Sequence, residues 1–361
     1  MVKVKRSFPF YLLLASGFIL LLFVNCSPLT TSFSTADDSV LVTPADGLST
    51  DERATLESLR KVGDYPLYTM YYQGDYYNME FTSTQNSNHE GDSFPTRSAT
   101  WACSLFATLV ENNTMLYGRN FDWRYSPAVL LFTNPSNGYA SAAMVDIAYL
   151  VDAVQVDNLL ERPLIERSAL LGAPFWPFDG MNEFGLVVGM AAVPARTMPN
   201  DTDKETIDSL MVMRLILDYA ASVGEAIEII DSYNIDWEGG PALHYLIADR
   251  SGKAVLVEFN DGERILIPNE NNWHIATNHL RSEASAGSSG CHRYELIADR
   301  LAENLGILNP SAAMELLVDV SSSDPEYGTQ WSVLYDMSAG AVQVVMGRDY
   351  EDLYEFDIGG N

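Results

Sequence analysis

Cys103, Arg119 and Asp122 bring a thiol, a guanidinium and a carboxyl group within twenty residues of one another, in an otherwise apolar neighbourhood. A thiolate is the nucleophilic form of cysteine, and a nearby arginine favours it by moving the thiol from about 8.5 toward neutrality. Cys103 follows Ala102 and precedes Ser104-Leu105-Phe106-Ala107, a small, apolar, strand-like setting. That setting alone suits a buried hydrophobe as well as a nucleophile. Arg119 and Asp122 change the balance, because two charges three residues apart are costly to bury unless they meet each other or a reacting group. A hairpin starting at Cys103 would return both beside it. The alternative is an ordinary Arg–Asp pair within that hairpin. His244, His274, His279 and His292 leave open a thiol–imidazole couple of the papain type, and Cys291 beside His292 would make another. No His/Asp/Glu cluster has metal-ligand spacing, so neither a metal nor another cofactor is expected.

The elements that must position these groups follow from periodicity. Strand-like apolar segments lie at 115–118, 128–133, 140–149 and 184–193, with Asn134-Pro135-Ser136-Asn137-Gly138 as a turn between the second and third. Thr202 with Glu205 and Ser222 with Glu225 read as capping boxes, ahead of Leu210, Met213 and Leu217 and then of Ala226, Ile229, Ile230 and Tyr233 at helical spacing. Strands are expected at 243–248, 253–259 and 263–267, separated by Arg250-Ser251-Gly252 and Asn260-Asp261-Gly262. Helices follow at 292–305 and 310–319, the latter with Asn309 as cap and Pro310 as first residue, and a terminal meander covers 331–336, 341–346 and 353–358. Sheets alternating with helix pairs imply stacked sheets covered by helices.

The chain has 361 residues, 47% hydrophobic, with a net charge of −28, which excludes disorder and disfavours nucleic acid as a partner. Three cysteines at 26, 103 and 291 make no disulfide scaffold and no paired zinc spacing. Lys3, Lys5 and Arg6 ahead of the apolar run Phe8–Val24 read as an export signal over residues 1–26. Cys26, after Phe23-Val24-Asn25, is placed as a lipoprotein acceptor cysteine, and an uncleaved signal anchor is the other reading. Either implies an exported, membrane-tethered protein. The Ser-, Thr-, Asp- and Pro-rich stretch that follows is expected to be a polar linker, taken as residues 27–64.

Several ordered blocks resemble one family, the cysteine N-terminal nucleophile (Ntn) hydrolases of linear amides, which include choloylglycine (bile-salt) hydrolases, penicillin acyltransferase-like proteins and acid-ceramidase relatives. The resemblance runs from about Tyr65 to Ile358. Its blocks are Cys103 with Gly118-Arg119-Asn120-Phe121-Asp122-Trp123, then Gly180-Met181-Asn182-Glu183-Phe184-Gly185-Leu186, then Leu243 to Asp249 with Gly252 and Val257-Glu258, then Thr277-Asn278, and Arg293. Tyr68 to Phe81, with Gly74-Asp75-Tyr76, resembles the pro-region of the acyltransferase and ceramidase branches. The resemblance implies an α+β, four-layer αββα sandwich. It further implies self-cleavage at Ala102-Cys103, which makes 65–102 a pro-region or short chain and 103–361 the catalytic domain.

In that family the freed α-amine of the cysteine takes the sulfur proton and hands it to the leaving amine, so one residue is nucleophile and base. The resemblance implies that Asp122 holds the ammonium, Arg119 favours the thiolate, Asn278 donates a side-chain N–H to the oxyanion, and Arg293 is a second active-site arginine. Asn182 reads as a turn residue. Where the bile-salt branch carries a second asparagine, this chain has Ala191-Ala192, which points to backbone N–H groups instead and away from conjugated bile salts. Trp123 and Tyr125 are expected at the mouth of a pocket. The implied activity is hydrolysis of a small-molecule linear amide through a thioester on Cys103, with acyl transfer to an amine and catalytically silent ligand binding as alternatives.

Overall fold

Strand β5, Ala128–Thr133, is apolar at nearly every position because both of its faces are covered, one by a second sheet and one by helical structure. The computed structural model describes residues 47–77, 102–110, 114–151, 156, 158–237, 240–283 and 290–359. The chain divides at Gly47, and the unit Leu48–Asn361 carries the elements below. The export signal and Cys26 lie outside the described residues. Among the described residues no helix is long and apolar enough to cross a membrane.

A nine-stranded sheet runs in the order β1 (Arg60–Gly63), β2 (Leu67–Tyr71), β5, β6 (Ser141–Asp146), β7 (Asp179–Asn182), β8 (Val187–Ala192), β11 (Leu243–Ala248), β12 (Ala254–Asn260) and β13 (Glu263–Pro268). A six-stranded sheet runs β14 (Trp273–Ala276), β3 (Ala102–Thr108), β4 (Leu116–Asp122), β15 (Thr329–Asp336), β16 (Ala341–Met346) and β17 (Leu353–Asp357). The sheets stack through Leu105, Tyr117, Phe121, Val187 and Tyr245 in one core. Gly189 lets them meet, since a methyl there would stand 2.6 Å from Tyr117 Oη and 2.9 Å from Leu105.

Helices α2 (Met211–Tyr219) and α3 (Val223–Asp231) bury apolar faces in that core on the nine-stranded side. On the other side α4 (His292–Glu303) and α5 (Pro310–Asp319) cover the six-stranded sheet through Ile297, Leu301, Leu316 and Leu317 against Phe106 and Leu116. The layers are therefore αββα, as the sequence implies.

Local signals account for most boundaries. The β12–β13 hairpin closes on Asp261 and Gly262 with φ of 53° and 80°, the left-handed pair of a two-residue hairpin turn. Asn309 caps α5 by accepting from Ala312 N–H, with Pro310 in the first turn. Ser222 caps α3 through Glu225 N–H, although the Glu225 side chain reaches Ala221 N–H instead of completing a box on Ser222. Tyr233, expected to continue that helix, opens strand β10 (Tyr233–Asp236).

Two further expectations are corrected. Thr202 and Glu205 start no helix; Glu205–Asp208 is strand β9, paired parallel with β10, and Asp208 Oδ1 accepts from Leu210 N–H to prepare α2. The strand expected within 184–193 is β8, which follows β7 through a turn with Gly185 at φ 71°. The polar linker gives way from Leu48, because a Ser49–Glu52 capping box starts helix α1 (Thr50–Glu57) and Leu48, Leu56 and Leu59 are buried. Strand β1 then begins at Arg60, inside the range expected to be linker.

Candidate active site

The β3–β4 hairpin pairs Cys103 with Phe121, Leu105 with Arg119 and Ala102 with Asp122. Side chains alternate along a strand, so Cys103, Leu105, Arg119 and Phe121 share the face toward the nine-stranded sheet, while Asp122 turns to the opposite face with Asn120 and Ser104. Arg119 is thus a diagonal neighbour of Cys103, and its Nη2 lies 4.0 Å from Sγ. The odd separation of Arg119 and Asp122 also rules out the alternative, an ordinary pair between them.

Arg119 crosses instead to the other sheet. Its Nη1 donates to Asp179 on β7 and to the Phe178 carbonyl at 2.5 Å, and both charged side chains are fully buried. Tyr335 Oη donates to Asp179 Oδ1 at 2.5 Å and Trp331 Nε1 to Oδ2 at 3.4 Å. Burial opposes the guanidinium charge, but Asp179 and Cys103 outweigh it and raise the Arg119 pKa.

On the opposite face Asp122 Oδ1 accepts from Thr329 Oγ1 at 2.5 Å, and Oδ2 is buried without a hydrogen bond, 3.9 Å from Arg293 Nη1. Burial pushes the Asp122 carboxyl up to about 7 against the Thr329 hydrogen bond and the Arg293 and Arg119 charges. Arg293, in the first turn of α4, donates to the Cys103 carbonyl at 2.5 Å, to Ser104 Oγ at 2.8 Å and to Asn278 Oδ1 at 3.0 Å. Asn278 Oδ1 also accepts from the Cys103 N–H at 2.5 Å, and its Nδ2 donates to the Ala192 carbonyl at 2.9 Å. The side-chain N–H of the expected oxyanion donor is therefore bonded to the backbone of Ala192, in the Ala191-Ala192 pair.

Of the expected site residues, Arg119, Asn278 and Arg293 contact Cys103, which is 4% exposed, while Asp122 lies on the opposite face of the hairpin beside Arg293. Trp123 is 8% exposed and packs on Tyr327, whereas Tyr125 is 48% exposed and meets Tyr65 edge-on, so the two do not form one lining. Asn182 is structural, with Oδ1 accepting from Phe184 and Leu186 N–H and Nδ2 donating to the Leu217 and Ala220 carbonyls. The papain-type reading finds no support in these contacts: His244 pairs with Glu258, His274 with the Ile267 carbonyl and His279 with Thr277. Cys291 couples to His279 and Thr277 rather than to His292. Among the described residues no group of three or more His, Cys, Asp and Glu could hold a metal ion.

Sequence reasoning missed Asp179, Thr329, Trp331 and Tyr335. Asp179 had a signal, an acid in an apolar run immediately before the Gly180-Met181-Asn182 block; the other three lie about two hundred residues downstream and had none.

A model of the acyl-coenzyme A:6-aminopenicillanic acid acyl-transferase family matches residues 169–351. No curated protein sequence gives a match. Among solved structures, penicillin V acylase from Agrobacterium tumefaciens superposes with a TM-score of 0.50, covering 71% of this chain and 86% of its own at 16% identity. Two variants of conjugated bile acid hydrolase from Clostridium perfringens give TM-scores of 0.51 and 0.52, each covering 71% of this chain and 92% and 93% of theirs, again at 16% identity. At that identity the likeness establishes the fold, a four-layer αββα sandwich.

Proposed function

This chain belongs to the acyl-coenzyme A:6-aminopenicillanic acid acyl-transferase family, and on that footing we propose that it is an exported, membrane-tethered, self-processing amidase that cleaves a linear, non-peptide amide through Cys103. The carrying observation is the convergence on one residue of Arg119 at the sulfur, Asn278 at the backbone nitrogen and Arg293 at the carbonyl.

In the uncut chain the Cys103 nitrogen is still a peptide nitrogen. Attack of Sγ on the Ala102 carbonyl carbon forms a thioester as the Ala102–Cys103 C–N bond breaks, and the nitrogen leaves as the Cys103 α-amine with the proton. Water then hydrolyses the thioester, giving the Ala102 carboxylate and a free thiol. Register supports the next step: Ala102 lies directly across from Asp122, whose buried Oδ2 has Arg293 at 3.9 Å but no hydrogen bond, so the new ammonium would emerge opposite a carboxyl group able to accept from it. With an amide substrate the α-amine takes the sulfur proton, the thiolate attacks, and the amine returns the proton to the leaving nitrogen. Water releases the acyl group as a carboxylic acid.

The short chain would remain in place after the cut. Its β2 pairs with β5, and Tyr76 and Tyr77 donate to Asp218 of α2 at 2.7 and 2.6 Å. Intact-mass analysis of purified protein should give two chains, the longer starting at Cys103, and Cys103→Ala should give one. A single unsplit wild-type chain with full activity on N-acyl amino acids, N-acyl amines or β-lactam side-chain amides would refute the proposal. The family match favours acyl transfer as a second reading, distinguished by adding an amine and finding its acylated form in place of free acid.

A further inference from the structure

Arg119 stands buried between two groups that can be anionic. Nη1 serves the Asp179 carboxylate and Nη2 faces the Cys103 sulfur. The carboxylate comes from β7 of the nine-stranded sheet and the thiol from β3 of the six-stranded one, so the guanidinium bridges the sheets at the nucleophile. Asp179 is itself fixed. Pairing of β15 with β4 sets Trp331 opposite Phe121, Val333 opposite Arg119 and Tyr335 opposite Tyr117, so Trp331 and Tyr335 flank Arg119 on its own face and both donate to Asp179. A fully buried carboxylate with three donors on it is a built acceptor.

We propose that Asp179 is a positioning residue that aims Arg119 at Cys103 and, by sharing its charge, sets how strongly the guanidinium holds the thiolate. Two anions divide one cation. If the Asp179 charge is removed and its shape kept, the sulfur becomes the remaining anion beside Arg119, and the thiolate forms at lower pH but is less basic. If a donor is taken from Asp179, its charge concentrates on Arg119 and the thiolate forms at higher pH. The other ionisable groups facing this pair are Tyr117 and Tyr335, both raised well above the usual tyrosine range by burial, and Asp122 and Arg293 on the far face of β4.

The inference rests on Cys103 being the nucleophile, but its readout needs neither cleavage nor turnover: the rate at which iodoacetamide alkylates Cys103, followed by peptide mass spectrometry across pH. Asp179→Asn should move the midpoint of that profile down by about one pH unit, the low end of the effect of a like charge nearby. It should also lower the plateau rate about threefold, since a less basic thiolate is a weaker nucleophile. Tyr335→Phe should move the midpoint up by a smaller amount. Opposite signs are expected from charge and not from loosened packing. An unmoved midpoint in a folded Asp179→Asn, or shifts of the same sign in both variants, would overturn the inference. Should Asp179→Asn fail to fold, Tyr335→Phe decides alone, an upward shift supporting the role and no shift removing it. Full amide turnover by Cys103→Ala would sink the proposed function and leave this test standing.

Discussion

Asp122→Asn should change the stability of the uncut protein in a way that depends on pH with a definite sign. The Asp122 carboxyl is raised from 3.8 to about 7 by burial, so the folded chain holds its proton long after the unfolded chain has released it. A raised carboxyl contributes stability that is fully present below about pH 4 and is lost as pH rises to about 7. Beyond that point both states are ionised and the slope vanishes. At about 1.4 kcal/mol per unit, with the folded carboxyl half ionised at pH 7, the loss between pH 5 and 7 is about 2 kcal/mol. Asparagine has no proton to lose, so the stability of the variant relative to the parent should rise by about 3 kcal/mol between pH 5 and 8. The assay is urea unfolding in a Cys103→Ala background, which keeps the chain uncut. Asp146, also raised to about 7 by burial, contributes the same slope to both proteins and cancels in the comparison. Parallel curves at the two pH values would refute the assignment of a neutral, partner-poor Asp122 in the precursor. In the cut wild-type protein the slope should shrink, because a Cys103 ammonium adds a positive charge to that of Arg293 near Asp122.

Three further outcomes are expected. Asp218→Ala removes the partner of the fully buried Arg214 and the acceptor of Tyr76 and Tyr77, so it should cost about 3–5 kcal/mol and release the short chain on gel filtration of cut protein. Burial opposes ionisation of Cys291, but hydrogen bonds from His279 and Thr277 lower its thiol to about 6. Alkylation of Cys291 in Cys103→Ala should therefore half-saturate near pH 6, and His279→Ala should move that midpoint upward. Arg293→Lys keeps a charge but loses the fork that spans the Cys103 carbonyl, Ser104 and Asn278, and intact mass should register slower cleavage at Ala102-Cys103 than in wild type.

The hairpin around Cys103 was legible because both of its strands carry chemistry at spacings that a period of two converts directly into faces. Arg119 lands beside the sulfur for that reason. The same rule sends Asp122 to the other face, three residues being an odd step, and the pairing of Arg119 with Asp122 could have been excluded on that ground alone. Asn278 and Arg293 could be recognised only as parts of family blocks, since nothing in their local sequence brings β14 and α4 to β3. The fold's central hairpins were readable where turn chemistry is local, as at Asp261-Gly262. They were misread where a strand pairing decided the matter, as at Glu205–Asp208, whose parallel partner lies 28 residues away at Tyr233–Asp236.

What local reading does not reach is the junction of the two sheets, and the candidate chemistry depends on it. Cys103 lies on one sheet, and its side-chain and backbone partners are fixed from the other: Asp179 on β7 holds Arg119, and the Ala192 carbonyl on β8 holds Asn278. Each strut is a polar contact within an otherwise apolar interface, where an unmatched charge or amide is costly. The two sheets therefore have few registers in which all of these groups are satisfied. That restriction places Arg119 and Asn278 on either side of Cys103 before any substrate arrives. Asp122 Oδ2 and Arg119 Nε are buried there without a hydrogen bond, and cleavage at Ala102-Cys103 would create a positively charged group on the strand opposite Asp122. The uncut fold thus carries an unmet acceptor at the point where the proposed reaction begins.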